Sequence, residues 1–369
     1  MAVKSPVKKA SERINRKNFM IFTSLYDRIK KYWKNKLWKD KKRTDIMGRA
    51  KVKAFSNKLV KILLIKEMGI LLALISICVF TSIINPNFLS PFNALIIVRQ
   101  IAIFGIIAIG ETFVIITAGI DLSPGSIVAL SGILVAWFMT NGFGIIISVI
   151  IVLIIAAAIG AYHGIFVSKL HVPPFVITLG TFAIARGFAA VITKGWPIIN
   201  LPQSFSFLWE AVIFDIFPMP VVILTIITLL SIFILNFSVL GRHIYAVGGN
   251  IEAARLSGIN VDKIRIFVYI VSAVFAAIVG ILIASRLSQG NPNVGLTYEL
   301  FAIAASVIGG TSLFGGEATI IGVLIGASIL SVIWNSLVLL RVSAYWHQVA
   351  LGLVLIGAVI TDILRERKK

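Results

Sequence analysis

"GGNIEAARLSG" (Gly248–Gly258) is a polar island between two apolar runs, 219–237 and 264–285. Glu252 and Arg255 stand in it with Asn250, Ser257 and three glycines, although 58% of the 369 residues are hydrophobic and only 14% are charged. A soluble domain of this size carries far more polar surface. Working outward, further apolar runs occupy 68–84, 94–117, 126–140, 144–167, 175–193, 298–312, 318–340 and 347–363. Runs of about 20 apolar residues match the hydrocarbon thickness of a bilayer. The chain is therefore expected to be an all-α polytopic membrane protein of about ten transmembrane helices, some interrupted by Gly or Pro. Interrupted helices are tolerated at membrane depth only where protein or a water-filled path covers the backbone.

Charge sets the expected orientation. Residues 1–66 carry 21 Lys and Arg against 4 Asp and Glu, whereas residues 67–369 carry 14 against 11. The net charge of +20 thus belongs almost wholly to the N-terminal residues 1–66 and does not signal nucleic-acid binding. "RIKKYWKNKLWKDKKR" (Arg28–Arg43) mixes Lys with Tyr and Trp. It suits anionic inner-leaflet lipids, at roughly 1 kcal/mol per basic residue, or a solvated tail that enforces orientation. By the positive-inside rule both termini are cytoplasmic, as are Lys169, Arg242, Arg255, Lys263 and Arg265. Loops 85–93 and 141–143, assigned outside, are uncharged, and outside loop 195–218 holds Glu210 and Asp215. Arg286 and Arg341 depart from the pattern. The expected organisation is an extension over 1–57, a membrane domain over 58–365 with a cytoplasmic loop at 238–263, and a tail at 366–369. The first apolar run starts too late for a cleaved secretory leader.

Within that loop Gly241 can end the preceding helix, and Gly248, Gly249 and Asn250 can turn the chain at positive φ. Asn250 is a candidate N-cap for a short helix from Ile251, with Glu252 in its first turn and Gly258 as its stop. Such a knob suits a groove on a soluble partner; an ordinary interfacial loop is the plainer reading.

"EAARLSG" resembles the Glu-Ala-Ala-x-x-x-Gly signature of ABC importer permeases, matched here by Glu252, Ala253, Ala254 and Gly258. The Ile-x-Leu-Pro that follows in many importers is absent. "NPNFLSPFNALIIVRQ" (Asn85–Gln100), "TFVIITAGIDLSPGSIVALSG" (Thr112–Gly132), "VPPFVITLGTFAIARGFAAVITKGWPI" (Val172–Ile198) and "ELFAIAASVIGGTSLFGGEATIIGVLIGA" (Glu299–Ala327) look like the ribose/xylose-type permease family. The resemblance runs over roughly 58–365. It implies a multi-pass permease of the bacterial cytoplasmic membrane with an ABC importer permease fold. It further implies import of a monosaccharide, a second permease copy or paralogue, a cytoplasmic ATPase and an extracytoplasmic sugar-binding protein. Gly241, Arg242, Gly248, Gly249, Asn250, Glu252, Ala253, Ala254 and Gly258 would then form the ATPase-coupling loop. No Gly-x-x-x-x-Gly-Lys-Ser/Thr pattern occurs, so ATP would be bound by the partner and the chain needs no cofactor of its own.

Polar residues inside the apolar runs are translocation-path candidates, because ionisable groups at depth line cavities or pair. They are Arg99, Gln100, Glu111, Asp121, Thr178 and Arg186. Asp121 precedes Leu122-Ser123-Pro124-Gly125, where Asp or Ser caps and Pro fits the first turn, so capping near the interface is the first expectation for it. Glu111 has no local partner, and Arg186 can line a path or brace a helix junction. Glu299 opens a span, which accounts for a carboxylate there. Four scattered histidines and the single Cys78 offer no metal spacing, and no nucleophile motif suggests an enzyme. Two rival functions are a nucleoside importer permease and an ion-coupled transporter using Glu111 and Asp121.

Overall fold

Proline and serine mark where the helices start. The computed structural model describes residues 67–366 together with Arg28, Lys30 and Lys31. The extension over 1–57 apart from those three residues, its boundary with the membrane domain, and residues 367–369 lie outside the described residues. Helix α1 is Met68–Ile84, followed after a 3-10 turn by α2, Pro91–Ile116. Then come α3, Pro124–Thr140; α4, Ile145–Ser168; and α5, Pro174–Thr193. A turn of helix, α6 at Phe207–Glu210, precedes α7, Met219–Ile232, which continues as a π-helical turn to Phe237. The coupling segment forms α8, Val239–Gly249, and α9, Ile251–Leu256. The chain closes with α10, Val261–Leu287; α11, Tyr298–Ile308; α12, Ile320–Leu339; and α13, Ala344–Glu366. Helices α2, α3, α5 and α7 each carry Pro in the first turn, where its missing N–H costs nothing. Among the described residues the strands are a two-residue pair, β1 at Val212–Ile213 and β2 at Phe217–Pro218, in the loop before α7.

Among the described residues seven helices are long and apolar enough to cross a membrane: α2, α4, α5, α7 with its π turn, α10, α12 and α13. Helices α1, α3 and α11 are apolar but shorter. The expected span at 298–312 is an 11-residue helix. At 1.5 Å per residue it reaches about 16 Å, half of the ~30 Å hydrocarbon layer.

The guanidinium groups of Arg99 and Arg286 both lie over Trp209, so the start of α2 and the end of α10 share one face of the bundle. Ile116 lies at the opposite face with Gly248, and its carbonyl accepts the amide of Gly316 at 2.9 Å. Between these faces, α3 and α11 begin against each other: Gly125 abuts Gly295 and the carboxylate of Glu299. From that point α3 climbs beside α10 towards the Trp209 face, bringing Gly132 to Gly280 and Ala136 to Gly290. Helix α11 runs the other way, with Ser306 bonded to Ala108 O at 3.0 Å. Each of these helices is thus preceded by non-helical backbone, turn and coil over 117–123 before α3 and mainly turns over 288–297 before α11. Unwound backbone is tolerated here because α2, α4, α5 and α10 cover it.

Helix α10 is the axis of the bundle, packed by α4, α3 and α2. Small residues permit the close approach: Gly160 and Gly164 of α4 sit on the backbone of Tyr269, Ile270 and Ile266. Across α2 and α11, Phe104 stacks on Phe301 with centroids 4.3 Å apart.

Two expectations for the coupling segment are corrected. Ser238, not Gly241, marks the helix break: Ser238 is extended and its hydroxyl accepts the amide of Gly241, which lies in the first turn of α8. Gly248 and Gly249 are helical, and no positive φ occurs there. The positive φ falls at Gly258, +83°, where it ends α9 as expected.

Candidate functional site

Asn250 takes the N-cap position that its sequence context predicts. It is extended, and its Oδ1 accepts the amide of Ala253 at 2.9 Å. Asn260 does the same for α10, accepting the amide of Lys263 at 3.0 Å. Two caps and the Gly258 turn thus define a rigid six-residue helix on the Gly248 face. Ala254 anchors it at 4% exposure, while Glu252, Ala253 and Arg255 point outward. Arg242 is exposed on the adjoining α8. Leu256 is 88% exposed, the highest value among the large hydrophobic residues described. A bare leucine on a polar knob has no use in water and suits a protein groove. Sequence reasoning passed over Leu256, because one leucine among so many carries no signal until its exposure is known.

The base of the knob is fastened to the bundle. A Cβ on Gly248 would collide with the carbonyl of Ile116, so only glycine allows α8 to rest there. Tyr245 donates to Ala318 O at 3.1 Å, and burial pushes its phenol above the ordinary range, keeping it a donor.

From Ile116 the chain unwinds through 117–123 into a buried polar cluster. Glu111 and Asp121 are both wholly buried. Glu111, which lacks a partner in the local sequence, accepts the backbone amide of Asp121 at 3.0 Å. Asp121 accepts Ser123 N at 2.9 Å and Ser123 Oγ at 2.6 Å on one oxygen, and Ser272 Oγ at 2.8 Å on the other. Asp121 thereby caps the approach to α3, while Ser123 at the N-cap makes no side-chain cap bond. His163 pairs with Thr181 at 2.8 Å. Thr178 bonds Pro174 O at 3.0 Å and Ile120 O at 3.4 Å, holding α5 to the unwound segment.

The N-terminal ends of α3 and α11 meet under Arg186. Its guanidinium donates to Val294 O at 2.7 Å, Pro292 O at 3.0 Å and Gly125 O at 3.4 Å. It therefore braces the junction between the segment before α11 and the start of α3. Glu299 lies in the first turn of α11, with Oε2 buried against Gly125 and without a hydrogen-bond donor. Two helix N-termini, an arginine and a carboxylate therefore converge at one junction inside the bundle. Discontinuous helices place solute sites of transporters in this way. Arg99 and Gln100 lie elsewhere, in a recess on the Trp209 face. The six path candidates thus occupy three places: recess, buried cluster and junction. Among the described residues no group of three His, Cys, Asp or Glu could hold a metal ion.

The family described as the branched-chain amino acid transport system / permease component matches residues 93–359. The chain belongs to that family. It is a multi-pass permease of the cytoplasmic membrane and a transport subunit, not a catalyst. It is 41% identical over 307 residues to the ribose import permease protein RbsC of Haemophilus influenzae, covering 82% of this chain and 95% of that protein. The ribose import permease protein RbsC of Bacillus subtilis is 39% identical over 298 residues, 80% of this chain and 92% of the relative. The autoinducer 2 import system permease protein LsrC of Yersinia enterocolitica is 36% identical over 297 residues, 80% and 82% of the two chains. No solved structure matches the permease.

Proposed function

We propose that this permease carries a ribose-like monosaccharide inward through the membrane, driven by ATP hydrolysed on a separate cytoplasmic ATPase. The observation that carries this reading is the 41% identity to a ribose import permease across 95% of that relative's length. In this reading the Gly248 face is cytoplasmic, with both termini on that side, and α9 docks on the ATPase. An extracytoplasmic sugar-binding protein delivers the solute to the Trp209 face, and a second copy or a paralogue completes the permease. ATP is the partner's ligand.

Transport follows from the junction between α3 and α11. Movement of the knob is passed to Ile116, and the unwound segment 117–123 leads directly from there to the start of α3. A shift of α3 against α11 opens or closes the polar centre braced by Arg186.

Uptake into proteoliposomes holding this chain, its ATPase and its binding protein tests the reading, with pentoses, hexoses, nucleosides and autoinducer 2 as solutes. ATP-dependent accumulation of a monosaccharide is expected. Accumulation driven by an ion gradient without the ATPase overturns it, and ATP-dependent uptake of nucleosides alone moves the solute class.

A further inference from the structure

We propose that the loop between α11 and α12 is a second docking element for the ATPase, with Phe314 as its contact residue. This inference rests on the importer reading above, in which the Gly248 face is cytoplasmic and α9 meets the ATPase. From Gly309 to Ile320 the one exposed residue is Phe314, at 58%. Thr311 and Ser312 are buried. The hydroxyl side chains of the loop are thus covered and its phenyl is open, the reverse of a loop built to face water.

The backbone on both sides of this phenyl is fixed. Gly315 and Gly316 have φ of +89° and +76°, a region that glycine enters without strain. The amide of Gly315 donates to Ser312 O at 3.1 Å, and that of Ser312 to Glu317 O at 3.0 Å, closing the loop on itself. The amide of Phe314 donates to Ser312 Oγ at 3.3 Å. Towards α13, the amide of Leu313 donates to Asp362 Oδ2 at 3.1 Å. Towards α2, the amide of Gly316 is held by Ile116 O. A side chain carried on backbone that is already ordered costs less entropy to bind.

The loop is continuous with the coupling segment. A Cβ on Gly315 would stand 2.8 Å from the carbonyl oxygen of Gly248, and one on Gly316 would stand 3.2 Å from the Cα of Gly249. Phe314 precedes Gly316 by two residues, a backbone reach of at most about 7 Å. Asn250, the cap of α9, follows Gly249, and Leu256 lies about 9 Å further along that helix at 1.5 Å per residue. Phe314 and Leu256 therefore belong to one surface around the start of α9. The exposed polar residues Asn250 and Glu252 lie in the same surface, and Asp362 is bonded next to Phe314. Apolar anchors with a polar rim are the make-up of a protein interface, and acyl chains would find no matching surface between them.

The test measures the affinity of the ATPase for the full chain in nanodiscs. Phe314→Ser is expected to weaken binding about tenfold, the effect of leaving one phenyl without its cover. Its melting temperature should match that of the wild type, because the side chain removed is exposed. A photoreactive p-benzoylphenylalanine in place of Phe314 reads the contact directly and should form an adduct with the ATPase. Wild-type affinity in Phe314→Ser, or an adduct with lipid alone, overturns the loop assignment. If Leu256→Ser still weakens binding in that case, the importer reading stands without it. If the wild-type chain binds no ATPase at all, the importer reading falls first and takes this inference with it.

Discussion

Gly248 rests directly on the carbonyl of Ile116, joining the exposed coupling segment to the C-terminal end of the core helix α2. The same carbonyl accepts the amide of Gly316, so three distant parts of the chain meet at one oxygen. Its neighbour Gly249 is exposed, with nothing within 4 Å of where a Cβ would stand. Gly248→Ala should destabilise the permease by about 1–3 kcal/mol, the cost of overpacking against rigid backbone. Gly249→Ala should be neutral or mildly stabilising, since alanine favours the helix. Thermal unfolding of the two purified variants separates them, and equal shifts would contradict this packing.

Glu111 matters to the fold through one acceptor. Glu111→Gln keeps an oxygen for the amide of Asp121 and should leave stability nearly unchanged. Glu111→Leu orphans that buried amide and should cost about 1–3 kcal/mol. A Gln variant as unstable as the Leu variant would show that the ionised form of Glu111 is needed.

Asp121 is the harder case. Its carboxylate accepts three bonds, two from hydroxyls on different parts of the chain. Asp121→Ala should cost several kcal/mol, at about 1.5–3 kcal/mol per bond to a charged group, and release the unwound segment. Faster amide hydrogen exchange over 117–123 is the expected signature.

Arg186 spans three carbonyls with a planar fork, a geometry that lysine cannot copy. Arg186→Lys should therefore insert and fold but transport poorly, with uptake reduced at least about tenfold if even one charge-assisted bond is lost. Wild-type uptake by the lysine variant would show that charge alone suffices at the junction.

Leu256 offers a test of the knob that leaves the bundle untouched. Leu256→Ser removes an 88% exposed side chain, so stability should change by less than about 0.5 kcal/mol. Binding of the ATPase should weaken about tenfold or more, because burying a leucine is worth about 1.5–3 kcal/mol. Retention of full affinity would place the docking contact elsewhere on the segment.

The positions of the helices were legible in the sequence because length and hydropathy must match the bilayer whatever the partners. Nine of the ten apolar runs became helices within a few residues of their expected ends, from Met68–Ile84 to Ala344–Glu366. Caps were legible for the same local reason: Asn250 needs only the amide of Ala253, three residues on, and Gly258 only its own φ. What remained hidden depends on chain segments far apart in sequence. The role of Gly248 lies in its contact with Ile116, the partner of Glu111 is an amide ten residues away across an unwound turn, and Arg186 reaches residues 292 and 294. The run at 298–312 looked like a full span, because hydropathy does not reveal that the helix ends at Ile308 and is preceded by turns at 288–297. Local composition determines which residues enter the membrane; only tertiary packing decides where a backbone may unwind there, since neighbouring helices must cover its polar groups.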